Sequence, residues 1–180
     1  ATFNLTPVLL LQLEELATGT KDVYWVLSEV PADQLDAEQQ AFILERFFDT
    51  NPRIVNRFPR YAELRELRDA GTTYTAGDFR DLQVLFNLAW TDPSFLAQEP
   101  LASLVAKGEG FDESDKEILF GEHLRIIGEV ASIHHRLWES GQIEVSTTPL
   151  AHPILPLVAD SELALVGDPT GVQPENRFRQ

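Results

Sequence analysis

Cysteine and methionine are both absent from this 180-residue sequence. Without cysteine the chain can form neither disulfide bonds nor thiolate metal sites, and a cysteine nucleophile is excluded. Without methionine it has no initiator residue, and its first residues, ATFNL, already follow an apolar pattern. We therefore expect the chain to be a piece of a longer polypeptide.

Basic residues are scarce as well. The sequence has 14 Lys and Arg against 29 Asp and Glu, a formal net charge of -15 at pH 7. Proteins that bind nucleic acid neutralise phosphates with basic side chains, and anionic membranes attract basic surfaces. The charge balance therefore argues against nucleic acid and against a membrane as partners.

Long apolar runs are also lacking. The longest, residues 7–11, is far shorter than the roughly 20 residues that span a bilayer, and the start lacks the basic segment of a signal peptide. With 43% hydrophobic and 24% charged residues, the composition is that of a globular protein. We expect a soluble, cytoplasmic protein of about the length of one domain.

The apolar pattern divides the chain into four segments. They are 1–20 (strand and helix), 21–140 (a helical block ending in a long helix), 141–166 (strand, turn and short helix) and 167–180 (polar loop). Within them we predict strands at 1–5 and 142–148 and helices at 36–48, 61–70, 77–90 and 114–139. In the last helix, Ser114 to Glu117 has the form of a capping box, and a kink is expected near Gly121 or Gly128.

Histidines are the first candidates for chemistry. His123 and His134 are eleven residues apart on the predicted helix, roughly 16 Å, which is too far for them to share a metal ion. We predict no metal site and no cofactor, and surface or boundary positions for these two side chains. His152 follows a strand in a proline-flanked turn, where α/β folds place ligands, although it could equally tie down its own turn.

Glu144 and an aromatic and polar collection are the remaining candidates. A carboxylate inside an apolar strand must be exposed, paired or functional, and for Glu144 the pattern favours a structural pair. Sugar-binding clefts combine flat aromatic faces with polar groups, and a salt bridge beside a half-buried Trp is the commoner alternative. The collection comprises Arg57, Arg60 and Tyr61 in one turn, and Asn87, Trp90 and Asp92 at the end of a helix.

Four ordered stretches resemble glycoside hydrolase family 57. The sequence GQIEVSTTPLAHPILPL at 141–157 is similar to the second signature region of the family. The others are TFNLTP at 2–7 with the Leu-rich helix after it, FPRY at 58–61, and DFRDLQVLFNLAW at 78–90 with the following Asp92-Pro93. Together they run along the whole chain, so the resemblance is specific where a single motif would be weak.

The resemblance implies an α/β fold. This chain would be part of a (β/α)7 barrel, supplying strands two and three with a large helical insertion between them. The family acts on α-1,4 or α-1,6 glucans with retention, through a glutamate nucleophile and an aspartate acid that belong to strands outside this chain. We therefore expect no catalytic residue here, an α-glucan and the remainder of the parent chain as partners, and an inactive fragment in isolation.

The resemblance also assigns substrate-binding residues. Glu144 matches the signature glutamate of strand three, and His152 matches a strand-end position that faces the sugar. Trp90, Arg60 and Tyr61 would lie near the cleft in the helical insertion. Two alternatives stay open: a non-catalytic helical interaction or regulatory module, and a related barrel enzyme such as a polysaccharide deacetylase, which needs an Asp/His metal constellation that is not seen in this sequence.

Overall fold

The computed structural model describes residues 1–151, 153, 159–167 and 169–171. These residues fall into two compact units, a helical unit of Leu16–Glu129 and a strand unit taken from Ala1–Glu15 and Val130–Gln180. No helix in the described part of the chain is both long enough and apolar enough to cross a membrane. The prediction of a mostly helical chain with a few strand residues is confirmed.

In chain order the elements are β1 (Thr2–Asn4), α1 (Pro7–Ala17), α2 (Val23–Glu29), a 3-10 turn (Ala32–Gln34), α3 (Ala37–Arg46), α4 (Pro52–Val55), α5 (Pro59–Asp69), α6 (Ala76–Ala89), α7 (Pro93–Leu96), α8 (Leu101–Lys107), α9 (Glu113–Glu139), β2 (Glu144–Ser146), a second 3-10 turn (Ser161–Leu163) and α10 (Ala164–Gly167). The helix predicted within 1–20 corresponds to α1, and the four predicted further along the chain correspond to α3, α5, α6 and α9. The predicted strands are shortened to β1 and β2.

Side-chain caps fix where the central helices begin. Asp36 accepts a hydrogen bond from the Gln39 backbone N–H at 2.9 Å, and the Gln39 side chain accepts from the Asp36 N–H at 3.0 Å. Thr75 and Asp78 form the same reciprocal box ahead of α6. Each box satisfies N–H groups that have no partner inside the helix, which explains why the sequence signal for these helices is strong.

The start of α9 differs from the prediction. The capping residue is Asp112, whose Oδ1 accepts from the Asp115 N–H at 3.1 Å and whose N–H donates to Asp115 Oδ2 at 2.8 Å. Ser114 lies in the first turn of α9, and its hydroxyl donates to Asp112. The capping box predicted at Ser114 was wrong, and α9 is helical through Gly121 and Gly128.

Helix α6 lies at the centre of the helical unit. Its apolar side chains Leu82, Val84, Leu85 and Leu88 are fully buried, and α2, α3, α5 and the first 3-10 turn pack around it. A helix buried on all sides needs every polar group satisfied. Gln83 meets this condition, because its Nε2 donates to two carbonyl oxygens of the α2 region and its Oε1 accepts from the ammonium group of Lys116 on α9.

The strand unit contains a two-stranded parallel sheet. Thr2 pairs with Glu144, Phe3 with Val145 and Asn4 with Ser146. Parallel pairing requires a long crossover between the strands, and the sequence from α1 to α9 supplies it. Helix α1 follows β1 with no buried residue despite its apolar sequence. Parallel strands are usually covered on both faces, so the exposed apolar side chains here are unusual.

Candidate functional site

A cleft runs across the helical unit beside the end of α6. It has two adjoining chambers of about 420 and 380 Å³ that share Trp25, Asn87 and Trp90, and we call it the Trp90 cleft. The first chamber is also lined by Asp22, Tyr24, Arg46, Asp49 and Phe86. The second is also lined by Thr91, Asp92, Phe95, His123, Ile126 and Ile127.

Trp90 is held at the cleft by the end of α6. It is the C-cap residue of that helix, and its backbone N–H donates to the Leu88 carbonyl. The two residues before it, Leu88 and Ala89, are buried in the core, yet 63% of Trp90 is exposed. The side chain therefore presents a large flat aromatic surface to solvent from a backbone that the core fixes in place.

Trp25 is a second indole that lines both chambers. The Asp22 carboxylate caps α2 by accepting the Trp25 backbone N–H at 2.7 Å. The Trp25 indole N–H donates to Glu29 at 2.9 Å, and its ring packs against Phe120 with centroids 5.1 Å apart. Hydrogen bonds and ring contacts on several sides hold Trp25 in one orientation.

Asn87 lies between the two chambers with a fixed amide orientation. Its Nδ2 donates to the Ser28 hydroxyl and to the Gln83 carbonyl oxygen, both at 2.8 Å. A carbonyl can only accept, so the nitrogen must face Gln83 and the Oδ1 atom must point the other way.

His123 has a tautomer that its neighbours determine. The Thr91 hydroxyl donates its single proton to the Asn87 carbonyl at 2.9 Å, so at its 2.9 Å contact with His123 Nε2 it must accept. Nε2 therefore carries the hydrogen in the neutral ring, and Nδ1 is a bare acceptor. Burial lowers the pKa of His123, with the nearby Glu122 carboxylate opposing this in part, so the ring is neutral at pH 7.

Acidic groups outnumber basic groups along the cleft. Among the residues that the structure describes, Asp22, Asp49 and Asp92 line it together with one cation, Arg46. The Arg46 guanidinium lies 3.1 Å from Glu45 and 3.5 Å from Asp49. Hydrogen bonds from the Ser94 hydroxyl and N–H lower the pKa of Asp92, so this carboxylate is charged at neutral pH.

The structure places Arg60 within an ion-pair network that joins α5 to α6. Its guanidinium group bonds Asp78 and the nearly buried Asp81 (Nε to Oδ2, 2.9 Å), and also the exposed Glu63 at 2.9 Å. Burial lowers the pKa of Arg60, but the hydrogen bonds to these three carboxylates outweigh it and raise the pKa above its ordinary value. Neither chamber of the Trp90 cleft is lined by Arg60.

Tyr61 belongs to the hydrophobic core. It is completely buried, its hydroxyl donates to the Phe47 carbonyl, and its ring stacks on Phe48 with centroids 5.2 Å apart. Burial raises the pKa of its phenol. A ligand cannot reach this side chain, and Arg60 is already occupied by carboxylates. In the structure Arg60 joins two helices through carboxylates and Tyr61 packs in the core, and their role in substrate binding stays a prediction.

Glu144 lies in the strand unit, on β2. Its side chain is exposed and accepts a hydrogen bond from the hydroxyl of Thr2, its partner across the sheet, at 2.8 Å. His152 lies outside the described residues. In the described part of the chain, no three His, Asp or Glu side chains lie close enough together to hold a metal ion.

Several cleft residues carry no clear sequence signal. Asn87, Trp90 and Asp92 stand together in the sequence, and the structure places all three at the cleft. Trp25 is far from them in the sequence, and no motif singles it out. The prediction of a surface or boundary position for His123 agrees with its partial burial. Its contact with Thr91 joins residues 32 positions apart, which no local pattern indicates.

An exposed indole with polar groups around it suits a pyranose ring, which has an apolar face and a rim of hydroxyls. No match was found among curated proteins or among solved structures. Residues 9–165 match a family model described as glycosyl hydrolase family 57. This range covers most of the sequence, including the Trp90 cleft and both β2 and the long helix before it. The chain therefore belongs to glycosyl hydrolase family 57.

Proposed function

We propose that this chain supplies substrate-binding groups to a family 57 enzyme that cleaves or transfers α-1,4 or α-1,6 glucan bonds with retention. Membership of the family implies glycoside hydrolase or transferase activity for the parent protein. The observation that carries the binding role is the exposed face of Trp90 at the junction of two chambers with polar walls.

The two catalytic carboxylates are proposed to lie elsewhere in the parent protein. Retention requires a pair of carboxyl groups about 5 Å apart across the scissile bond. The resemblance assigns both of them to strands other than β1 and β2. We further propose that β1 and β2 are neighbouring strands two and three of a (β/α)7 barrel and that the helical unit is an insertion between them. Their parallel pairing supports this assignment.

Glu144 and His152 are proposed as sugar-binding residues of the strand unit, on the basis of the resemblance. The Glu144 carboxylate is exposed and bonded to a neutral hydroxyl, so it has acceptor capacity left for a ligand. A hydrogen bond to a charged group contributes about 1.5–3 kcal/mol. In the parent enzyme, Glu144→Gln should therefore lower turnover of a malto-oligosaccharide by at least about tenfold.

Trp90 is proposed to stack against the apolar face of one glucosyl ring. If the ring covers about 60 Å² of the indole, at ~25 cal/mol per Å² the contact contributes about 1.5 kcal/mol, which is about tenfold in affinity. The side chain is exposed in the free protein, so its removal should reduce binding without reducing stability.

Titration calorimetry with maltohexaose tests this proposal on the purified protein. Trp90→Ala should weaken binding about tenfold. Trp138→Ala is the matched control, because Trp138 is also exposed, at 56%, and lines neither chamber. Absence of maltohexaose binding by the unmodified protein, or equal losses in the two variants, would overturn the proposal and favour a non-catalytic interaction module.

A further inference from the structure

We infer that the Trp90 cleft recognises its sugar through groups that accept hydrogen bonds from hydroxyls, chiefly Asn87 Oδ1 and His123 Nδ1, and thereby selects neutral glycans over anionic ones. This inference rests on the proposed function, since it assumes that the cleft holds a glycan. It adds the chemical character that the glycan must have.

The first acceptor is the side-chain oxygen of Asn87. Both hydrogens of its amide are donated inward, to Ser28 and to the carbonyl of Gln83. Among the described residues, Oδ1 has no hydrogen-bond donor. Because the inward contacts fix the amide, rotation cannot exchange the oxygen for the nitrogen, and Asn87 can offer a ligand only an acceptor.

The second acceptor is the Nδ1 atom of His123. The hydrogen-bond chain from His123 through Thr91 to the Asn87 carbonyl places the ring hydrogen on Nε2. In the described part of the chain no group donates to Nδ1. The same chain connects His123 to the backbone of Asn87, so the two acceptors are held by a single set of hydrogen bonds.

Both atoms can be reached from solvent. Among the described residues, the buried side-chain atoms that lack a partner are Thr50 Oγ1 and Thr148 Oγ1. Asn87 Oδ1 and His123 Nδ1 also lack a partner among the described residues but are not buried, and both residues line the second chamber. A sugar hydroxyl can therefore donate to either atom without breaking a bond inside the protein.

The charges of the cleft also favour neutral glycans over anionic ones. Among the described residues three carboxylates line it, and its one cation, Arg46, already lies beside Glu45 and Asp49. A ligand that carries carboxylates or phosphates would bring negative charge towards these groups and would offer acceptors where the wall also offers acceptors. The ring donors left in the described part of the cleft are the Trp90 indole N–H and the Tyr24 hydroxyl, and these two donors do not offset three carboxylates.

The experiment compares two ligands of the same length and linkage by titration calorimetry on the purified protein. They are maltohexaose and maltohexaose oxidised at C6 to glucuronate units. In low salt the oxidised ligand should bind at least about tenfold more weakly than maltohexaose. The difference between the two affinities should decrease in 0.5–1 M NaCl, because salt screens the repulsion (Debye length about 3 Å at 1 M). Asp49→Asn should also decrease this difference, whereas the control Asp33→Asn, at an exposed position outside the cleft, should not.

A second series tests the acceptors without altering the protein. Maltose derivatives in which single hydroxyls are replaced by fluorine cannot donate at the substituted position. At least one position should lose about five- to a hundredfold in affinity, the effect of leaving one polar partner unpaired. Equal binding of the neutral and oxidised ligands in low salt, or undiminished binding at every fluorinated position, would overturn the inference while leaving the proposed function standing. Failure of maltohexaose itself to bind would instead overturn the proposed function.

Discussion

Replacing Arg60 by methionine should destabilise the helical unit by about 3 kcal/mol. Arg60 joins α5 to α6 through Asp78 and Asp81, and only 16% of its side chain is exposed. Asp81 is 4% exposed and keeps one other hydrogen bond, from the Phe111 N–H at 3.0 Å. Methionine retains much of the apolar length of arginine, so the change mainly removes the charge and its hydrogen bonds.

The size of the effect follows from what is left behind. Removing one partner of a buried ion pair costs about 3–5 kcal/mol, because the other charge stays buried without compensation. Asp81 keeps its hydrogen bond from Phe111 and Asp78 is partly exposed, so the loss of stability should lie near the lower end of this range. The contact with the exposed Glu63 adds little. In a chain of this size, about 3 kcal/mol lowers the Tm by roughly 6–12 °C.

Urea unfolding followed by circular dichroism measures this loss. The control is Arg65→Met, which removes an exposed hydrogen bond to Asn56 (3.0 Å) and should cost no more than about 1 kcal/mol. Adding Asp81→Asn to the Arg60 variant should recover about 1–2 kcal/mol, because the uncompensated charge is removed. If the Arg60 and Arg65 variants lose equal stability, or if the second substitution restores nothing, the network does not stabilise the fold as described.

The other predictions concern titration, burial and activity. The pKa of His123 in the folded chain lies below its ordinary value of 6.5, so the unfolded chain binds the proton first as the pH falls. The free energy of unfolding should therefore decrease as the pH drops from about 6.5 towards the folded pKa. In His123→Gln the urea midpoint should change less between pH 7.5 and 5.5 than in the unmodified protein. Lys116→Met should cost about 1–3 kcal/mol, seen as a lower urea midpoint, because Gln83 Oε1 loses its donor and the Val30 carbonyl keeps just the bond from Gln83 Nε2. Glu144→Gln should leave the Tm within about 2 °C of the unmodified protein, since the carboxylate is exposed. It should nevertheless lower turnover of a malto-oligosaccharide by the parent enzyme. Unchanged turnover would remove Glu144 from the proposed site.

The helices could be predicted from the sequence wherever the defining contacts join residues close together in the chain. Asp36 with Gln39, and Thr75 with Asp78, are separated by three residues, and the apolar spacing of α6 lies within fourteen residues. Such patterns report contacts between near neighbours. The cap of α9 was misplaced because Asp112, Ser114 and Asp115 are all residue types that cap helices, and the choice among them depends on which side chain accepts which backbone N–H.

The residues of the cleft could be predicted from the sequence only in part. Asn87 and Trp90 stand close together in the sequence, but Trp25 and His123 reach them through the packing of α2 and α9. An arginine near aromatic residues has the same sequence pattern whether it is exposed or paired, so the ion pairs of Arg60 could not be predicted. Its partners, Asp78 and Asp81, lie 18 and 21 residues further along the chain.

Because Trp90 ends the central helix, occupancy of the cleft is thermodynamically linked to the integrity of the whole helical unit. A ligand that binds only the folded form stabilises it by about 2.7 kcal/mol when its concentration is one hundred times the Kd. That corresponds to a rise in Tm of about 5–11 °C for a chain of this size. Melting temperature can therefore serve as a label-free readout for ranking candidate sugars, independent of whether the catalytic carboxylates are present in the sample.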